Sequence, residues 1–287
     1  MPNTLKITTR NARFQRWQAL LANRNKRQRE RAFLVQGVRP ITLAVQHGWP
    51  VTDLLTVDGR ALSRWAVGLL DTVSGCTRVT LAPELMRELG GKDEDTPELL
   101  AVVRLPEDRL DRIPAGPDML VVVFDRPATP GNVGTLVRSA DAFGAAGVII
   151  TGHAADPYDP RAVRASTGSL FALPVIRAAS QRDVLDWVRG LRDAGLPAGI
   201  AGTDEHGDVD LASQDLTGPT VVVVGNETHG LSAAWREASD RILRIPMTGT
   251  ASSLNAAAAA TVVLYEAARQ RAANDLRQHS DLNRPEG

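Results

Sequence analysis

One segment carries the clearest evidence for the fold: Thr220-Val221-Val222-Val223-Val224-Gly225-Asn226-Glu227-Thr228-His229-Gly230-Leu231. Four consecutive valines predict a strand buried on both faces, which is typical of a parallel sheet covered by helices. The strand ends in a polar, glycine-rich loop, and ligands gather beyond the carboxyl ends of parallel strands. Gly225 and Gly230 allow tight turns and close approach of the backbone to a ligand. The alternative interpretation is structural, with Glu227 as an acid at a helix start.

Similar apolar strands occur on both sides of this segment. Strands and helices alternate from about residue 118 to 273, the pattern expected of a parallel sheet with helices on its faces. The predicted strands are Met119–Phe124, Gly147–Thr151, Leu196–Ala201, Thr220–Val224 and Ile242–Ile245. Helices are predicted near residues 132–143, 181–194, 231–239 and 253–273, the last with Ser252 and Ser253 as candidate caps.

The first third of the chain predicts a second, smaller α/β domain. Its helices are expected near residues 11–22, 37–48, 60–69 and 83–89, and its strands at 53–57 and 99–103. Residues 105–117 are charged, rich in proline and without long apolar runs, so they cannot easily contribute to a core. We place the boundary there, with an N-terminal domain over residues 1–112 and a C-terminal domain over 113–287.

Charge is unevenly distributed along the chain. The formal net charge is zero, yet residues 1–40 hold ten basic side chains and one acid, Glu30. Such a block can neutralise phosphates and release their counterions, which is the sequence-independent part of nucleic-acid affinity. A solvated helical face is the alternative. The candidate nucleic-acid contacts are Arg10, Arg13, Arg24, Lys26, Arg27 and Arg39.

Several classes of protein are disfavoured by what the sequence lacks. Cys76 is the only cysteine and the five histidines show no ligand spacing, so we expect a buried, inert thiol and no metal. No dinucleotide fingerprint, phosphate loop or nucleophile elbow follows a predicted strand. No apolar run approaches the roughly 20 residues of a membrane span, and the start lacks the apolar core of a signal peptide. We therefore expect a cytoplasmic protein that makes no membrane contact.

Two more loops combine glycine with polar side chains after predicted strands. In residues 130–140, Asn132 and Gly134 open a helix, and Arg138 lies one turn further on, where the helix dipole disfavours a cation unless an anion is near. In residues 245–255, Ser253 and Asn255 lie at the first turn of the last helix. Asparagine is a poor choice inside an alanine-rich helix, and such a mismatch is expected at functional sites. Capping and surface roles are the alternatives.

In order and spacing, the three loops resemble the signature motifs of the SpoU/TrmH branch of the SPOUT RNA methyltransferases. Asn132-x-Gly134-x-x-x-Arg138 is similar to the first motif and Gly225-Asn226-Glu227-x-x-Gly230-Leu231 to the second. Ile245-Pro246-Met247 with Ser253-Leu254-Asn255 is similar to the third. The resemblance covers about residues 118–273. Residues 33–39 also resemble the start of a substrate-binding domain common in the family, with Gln36 where an acid is more usual.

This resemblance implies a fold and a cofactor. The fold is a SPOUT (alpha/beta knot) catalytic domain, with a parallel sheet and a C-terminal trefoil knot, joined to a smaller N-terminal α/β domain that binds RNA. It also implies a homodimer. The cofactor is S-adenosylmethionine, held bent in the knot largely by backbone groups. The matching positions are Gly225, Asn226, Ile245, Met247 and Leu254.

The resemblance also implies catalytic roles. A ribose 2′-hydroxyl is a poor nucleophile that needs its proton withdrawn or its oxygen oriented. Arg138 would assist the deprotonation together with a substrate phosphate, since a free guanidinium is too weak a base alone. Ser253 and Asn255 would orient the ribose, Asn132 would position Arg138 or the hydroxyl, and Glu227 would brace the site.

The function implied is methylation of a ribose 2′-hydroxyl in ribosomal RNA, which we expect to be 23S RNA. Antibiotic resistance is an expected role, and a housekeeping purpose is the alternative. For the activity, the alternatives are methylation of a transfer RNA ribose or of a base, and a non-catalytic RNA-binding assembly factor. The motifs cannot separate the RNA targets, because the N-terminal domain and its RNA partner choose the target. They also leave open the nucleotide, the antibiotic and whether Arg138 serves its own or a partner subunit's site.

Overall fold

The computed structural model describes residues 4–90 and 96–282, with side chains up to residue 277 in the last helix. The chain forms two compact units. The first comprises residues 1–107 and 156–172, and the second comprises 108–155 and 173–287. The sequence-based boundary after residue 112 lies near one of these divisions. Nothing in the sequence indicated that residues 156–172 group with the N-terminal unit.

The first unit contains a mixed five-stranded sheet. Its strands are β1 (Thr4–Ile7), β2 (Ala32–Gln36), β3 (Val51–Val57), β4 (Thr77–Leu81) and β5 (Leu99–Arg104). They lie in the order β1-β4-β3-β5-β2, and β5 runs antiparallel to both of its neighbours. Its first five helices are α1 (Ala12–Ala22), α2 (Arg24–Glu30), α3 (Val38–Gln46), α4 (Arg64–Thr72) and α5 (Pro83–Gly90).

Helix α1 shows why the basic N-terminal segment is folded. Asn11 caps the helix by accepting a hydrogen bond from the N–H of Phe14. Phe14, Trp17 and Leu20 recur at helical spacing and are buried in the core of this unit. Helix α2, which the sequence analysis did not predict, follows directly with Asn23 as its cap. Most of the basic side chains therefore project from core-packed helices.

The second unit contains a seven-stranded parallel sheet. Its strands are β6 (Leu120–Asp125), β7 (Gly147–Thr151), β8 (Val175–Ala178), β9 (Gly199–Thr203), β10 (Val209–Asp210), β11 (Thr220–Val224) and β12 (Arg241–Arg244). They lie in the order β10-β12-β9-β11-β6-β7-β8 with every pair parallel. The helices are α6 (Pro130–Ala142), α8 (Gln181–Asp193), α9 (Ala233–Ala238) and α10 (Ala256–Leu282). The predicted parallel α/β sheet is confirmed.

Strand β11 lies in the middle of this sheet, between β9 and β6. Residues 221–224 are almost completely buried, as the run of valines predicted. Because the three strands are parallel and adjacent, their carboxyl ends place the loops after residues 125, 203 and 224 at one edge of the sheet.

The last helix begins three residues later than predicted. Oδ1 of Asn255 accepts hydrogen bonds from the N–H groups of Ala257 at 3.0 Å and Ala258 at 3.2 Å, so Asn255 is the cap. The expectation that Ser252 and Ser253 cap this helix is wrong. Asparagine is among the preferred N-cap residues, so its presence at 255 is no mismatch with helix propensity. Any functional role of Asn255 must therefore rest on its contacts.

Residues 156–172 follow β7 in the sequence but pack within the first unit. They include α7 (Pro160–Ala165). Nε of Arg27 donates to Oδ2 of Asp156 at 2.8 Å, and both side chains are buried. The ring of Phe33 lies 5.0 Å from that of Tyr158 and 6.1 Å from that of Phe171, measured between centroids. An ion pair and an aromatic cluster thus hold this excursion in place.

Three expectations concern side chains or segments outside the sheets. The thiol of Cys76 is buried, as expected, and burial raises its pKa. Across residues 4–90 and 96–282, no helix is long and apolar enough to cross a membrane. Over the same ranges, no group of three or more histidine, cysteine, aspartate or glutamate side chains is arranged to hold a metal ion.

Candidate active site

One residue from each of the three loops joins a single chain of side-chain hydrogen bonds. Nδ2 of Asn132, in the first turn of α6, donates to Oε1 of Glu227 at 3.0 Å. Nδ2 of Asn255, at the start of α10, donates to Oδ1 of Asn132 at 3.2 Å. These pairs lie 95 and 123 positions apart in the sequence. The structure therefore brings together three segments that the sequence separates widely.

The hydrogen bonds fix the orientation of both amides. An ionised carboxylate only accepts hydrogen bonds, so Asn132 must turn its NH₂ group towards Glu227 and its oxygen towards Asn255. Asn255 then has its NH₂ group facing Asn132, while its oxygen accepts from the backbone of α10. Each NH₂ group has two hydrogens and uses one. Each amide thus keeps one donor for a ligand.

Glu227 also fixes the loop before α6. Its Oε2 accepts from the N–H of Ala128 at 2.8 Å, and its Oε1 accepts from the N–H and the hydroxyl of Thr129, each at 3.3 Å. Burial alone would raise the pKa of Glu227, but the hydrogen bonds from Ala128, Asn132 and Thr129 outweigh it and lower that pKa. The carboxylate is therefore ionised near neutral pH and braces the start of α6.

The Asn226 side chain holds its own loop in shape. Its Nδ2 donates to the backbone oxygen of Arg126 at 2.6 Å. Its Oδ1 accepts from the N–H groups of Thr228 at 2.9 Å and His229 at 3.0 Å. Asn226 was predicted to bind the cofactor, and these contacts engage both ends of its side chain within the protein. A cofactor would therefore meet its backbone more readily than its amide.

Gly225 allows two parts of this loop to pass very close together. Asn226 and Gly230 exchange backbone hydrogen bonds of 3.0 and 2.9 Å. A Cβ atom at Gly225 would lie 2.2 Å from the carbonyl carbon of Gly230 and 2.3 Å from the nitrogen of Leu231. Only glycine fits at this position without moving the backbone.

A pocket that is partly open to solvent lies beside these loops. All five predicted cofactor positions line it, together with Glu227 and Ser253; the five are Gly225, Asn226, Ile245, Met247 and Leu254. The side chains of Met247 and Leu254 are 36% and 41% exposed, so they offer apolar surface to a ligand. Ser253 lines the pocket and does not cap α10.

Two acidic residues of the pocket were not predicted from the sequence. Asp204 and Glu205 follow the carboxyl end of β9 and line the pocket with Glu227. Asp204 is paired with Arg236 at 2.5 Å, and Glu205 is more exposed. The prediction ended β9 at residue 201, two residues early, so this loop was not recognised as a strand end. The lining of this pocket has three carboxylates and no lysine, arginine or histidine.

Arg138 stands apart from this network. It lies six residues after Asn132, which turns it about 240° around α6. Its neighbour Ser139 faces α10, with its hydroxyl 2.7 Å from that of Thr261. Arg138 itself is exposed and pairs with no residue that the structure describes. Within one copy of the chain, the guanidinium is therefore available for an external partner.

The predicted RNA contacts fall into different environments. Arg27 is 2% exposed and bound to Asp156, so it cannot reach a phosphate, and we remove it from the predicted set. Arg10 pairs with Glu88 at 3.0 Å and Lys26 with Glu30 at 2.6 Å.

The other three predicted contacts also differ. Arg39 is exposed, and its Nε donates to the carbonyl oxygen of Thr167. Arg13 is exposed and has no partner among the described residues, whereas Arg24 is half-buried and has one.

Comparisons with known families agree with this architecture. The model of the SpoU rRNA Methylase family matches residues 119–265, and that of the SpoU L30e-like domain matches residues 11–101. The chain belongs to the SpoU rRNA methylase family. The predictions of the family and of a methyltransferase are thereby confirmed.

Individual relatives cover nearly the whole chain. A 23S rRNA (uridine(2479)-2′-O)-methyltransferase of Streptomyces viridochromogenes is 59% identical over 270 residues, 94% of each protein. A crystal structure of the SpoU methyltransferase AviRb from that organism, in complex with the cofactor AdoMet, has a TM-score of 0.89 and 59% identity. The match covers 92% of this chain and 99% of that one.

A more distant relative has a similar fold. The AdoMet-bound rRNA methyltransferase of Sinorhizobium meliloti is 28% identical, with a TM-score of 0.82 over 93% of this chain and 98% of that one. The matches to the Streptomyces viridochromogenes proteins confirm the expected similarity to a ribosomal RNA ribose methyltransferase.

Proposed function

We propose that this protein transfers the methyl group of S-adenosylmethionine to a ribose 2′-hydroxyl of 23S ribosomal RNA. The observation that carries the proposal is the convergence of Asn132, Glu227 and Asn255 next to a pocket lined by all five predicted cofactor positions. The relative of known target acts on a uridine, so we further propose a uridine as the target nucleotide.

The pocket suits S-adenosylmethionine, which supplies an electrophilic methyl group on a positively charged sulfur. Its lining combines carboxylates with apolar side chains and contains no cationic side chain. Such a lining favours a ligand with net positive charge and an apolar portion. The structures of relatives that contain AdoMet support the same cofactor here.

The chain's own polar groups can position a ribose. The remaining N–H donors of Asn132 and Asn255 can hold sugar oxygens, because the carboxylate of Glu227 and the cap of α10 fix the two amides. Orientation of this kind lowers the barrier of a displacement reaction. The Ser253 hydroxyl, which lines the pocket, is a further ribose contact. Arg138 would bind the substrate phosphate and lower the free energy of proton loss from the hydroxyl.

A homodimer is part of this proposal. Tyr265 and Val262 of α10 are 55% and 38% exposed, and the ring of Tyr265 lies 5.9 Å from that of Phe143 at the end of α6. An apolar face of this kind on two packed helices suits a second copy of the chain. Arg138 is exposed on the same helix α6, so a second copy that also covers that part of α6 would meet its guanidinium.

The C-terminal trefoil knot and the cellular location also remain proposals. The knot is proposed from the family to which the chain belongs. At Gly207 a Cβ atom would lie 2.6–2.9 Å from the backbone of residues 242–244, so glycine is needed where this segment enters its pairing with β12. Activity on ribosomal RNA would place the protein in the cytoplasm, and antibiotic resistance is the role that we propose for the modification.

We further propose that the first unit binds RNA through its basic N-terminal segment, in which Arg13 and Arg39 are exposed. Deleting residues 1–30 would remove the buried Phe14, Trp17 and Leu20, so point substitutions give the cleaner test. We expect Arg13→Gln with Arg39→Gln to weaken RNA binding and to reduce the slope of log K against log salt by about 0.7–0.9 for each phosphate that is no longer bound. Filter binding at several salt concentrations measures the slope. An unchanged slope would exclude these contacts, and the exposed Arg64→Gln serves as control.

The activity itself is tested with labelled cofactor. We expect the protein to label a 23S RNA transcript and not total transfer RNA. Digestion to nucleosides should place the label on the ribose of a uridine. Label on transfer RNA alone would indicate the alternative substrate. Absence of label on every RNA, with RNA binding retained, would indicate a non-catalytic assembly factor.

A further inference from the structure

Arg126 has an unusual conformation at the edge of the site. It follows β6 directly and has φ of 51°, in the left-handed region that side chains other than glycine rarely adopt. Residues held in this region persist only where the surrounding structure fixes them, and they concentrate at functional sites. No motif in the sequence marks Arg126.

Two features of the fold seat its side chain. Nε of Arg126 donates to Oδ2 of Asp125 at 2.9 Å, and Oδ1 of the same buried carboxylate accepts from the Thr151 hydroxyl at 2.9 Å. At Gly152, beyond β7, a Cβ atom would lie 2.9 Å from Cγ of Arg126. The missing side chain there leaves room for the stem of the arginine.

The outer end of the guanidinium is available to a ligand. Neither terminal nitrogen donates a hydrogen bond to any residue that the structure describes, and the side chain is 37% exposed. A guanidinium fixed at Nε presents its terminal N–H groups as a rigid fork, which matches the oxygens of a phosphate. Arg126 does not line the cofactor pocket, so the cofactor's carboxylate is the less suitable partner.

We propose that Arg126 binds a phosphate of the substrate RNA and positions the target nucleotide. This inference rests on the proposed function. The carbonyl oxygen of Arg126 accepts from the Asn226 amide at 2.6 Å, which ties its backbone to the pocket loop. A phosphate bound at Arg126 would therefore be held at a fixed distance from the pocket and would set the register of the RNA.

Arg126→Gly is the sharpest test, because glycine adopts this backbone conformation without strain and keeps the carbonyl for Asn226. We expect RNA binding about 5- to 20-fold weaker near 0.1 M salt and a slope against salt smaller by about 0.7–0.9. The dissociation constant for S-adenosylmethionine, measured by calorimetry without RNA, should not change. Arg189→Gln, at an exposed arginine of α8, is the matched control and should leave both values unchanged.

The outcomes separate this inference from the proposed function. An unchanged salt slope in Arg126→Gly overturns the phosphate contact, and weaker cofactor binding with normal RNA binding assigns the arginine to the cofactor instead. If wild-type protein methylates no RNA while Arg126→Gly still shows the reduced slope, the methyltransferase proposal fails and the RNA contact stands. Loss of the ion pair with Asp125 lowers the stability of the variant while relief of the left-handed conformation raises it, so a single cooperative thermal transition serves as the evidence that the fold is intact.

Discussion

Arg138→Ala is expected to abolish methyl transfer while the affinity for S-adenosylmethionine stays nearly unchanged. Arg138 is exposed, pairs with no residue that the structure describes and does not line the pocket, so its loss leaves the cofactor site intact. Assistance to proton transfer contributes about 10²–10⁴-fold to a rate. Single-turnover methylation of a 23S RNA transcript measures the rate, and calorimetry measures cofactor affinity. Activity within tenfold of wild type would contradict the role.

A complementation experiment shows in which subunit Arg138 acts. Gly225→Ala places a Cβ atom against the backbone of Gly230, so this variant should not bind the cofactor. Mixed dimers of Gly225→Ala and Arg138→Ala retain one intact pocket and one intact arginine on different chains. Restored activity means that Arg138 acts across the dimer. Continued inactivity, with mixed dimers demonstrated by tagged copies, means that each chain uses its own arginine.

The sheet of the second unit was predictable where burial is continuous. β7 and β11 have the predicted bounds. Short, uninterrupted runs of Val and Ile indicate a buried strand, because they show no helical spacing of apolar residues. β9 begins at Gly199, three residues after the predicted start, since Pro197 interrupts the apolar run. This shift hid Asp204 and Glu205 at the strand end. Short β8 and two-residue β10 give too little pattern to recognise.

The site was predictable from its motifs but not from local propensity. The mismatch argued for Asn255 was wrong, because the helix begins three residues later than predicted, which turns an unfavourable helix position into a favourable cap. Its contact with Asn132 depends on the tertiary fold. The left-handed conformation of Arg126 carries no glycine signal, so only coordinates reveal it. Arg27 looks like its basic neighbours in sequence, yet its partner is 129 residues away.

Asp156→Ala should strongly destabilise the first unit. The substitution removes the carboxylate that is hydrogen-bonded to the buried guanidinium of Arg27 and leaves only the more distant Asp159, at 3.9 Å, together with the carbonyl oxygens of Leu20 and Leu21. Breaking a buried ion pair on one side costs about 3–5 kcal/mol. Urea unfolding, monitored by hydrogen exchange of the amides in the first unit, measures the loss of unfolding free energy. We expect this unit to unfold before the second one.

Two controls separate charge burial from loss of packing. Asp186→Ala removes the partner of Arg189 in a pair that is more than half exposed, so it should cost about 0–1 kcal/mol. The double variant Arg27→Met with Asp156→Leu removes both charges and should recover most of the stability that Asp156→Ala removes, because no charge is then buried alone. A loss in Asp156→Ala no larger than that in Asp186→Ala would contradict the role of this ion pair. A fragment of residues 1–112, the N-terminal domain predicted from the sequence, also lacks Asp156. We therefore expect this fragment to be as unstable as Asp156→Ala.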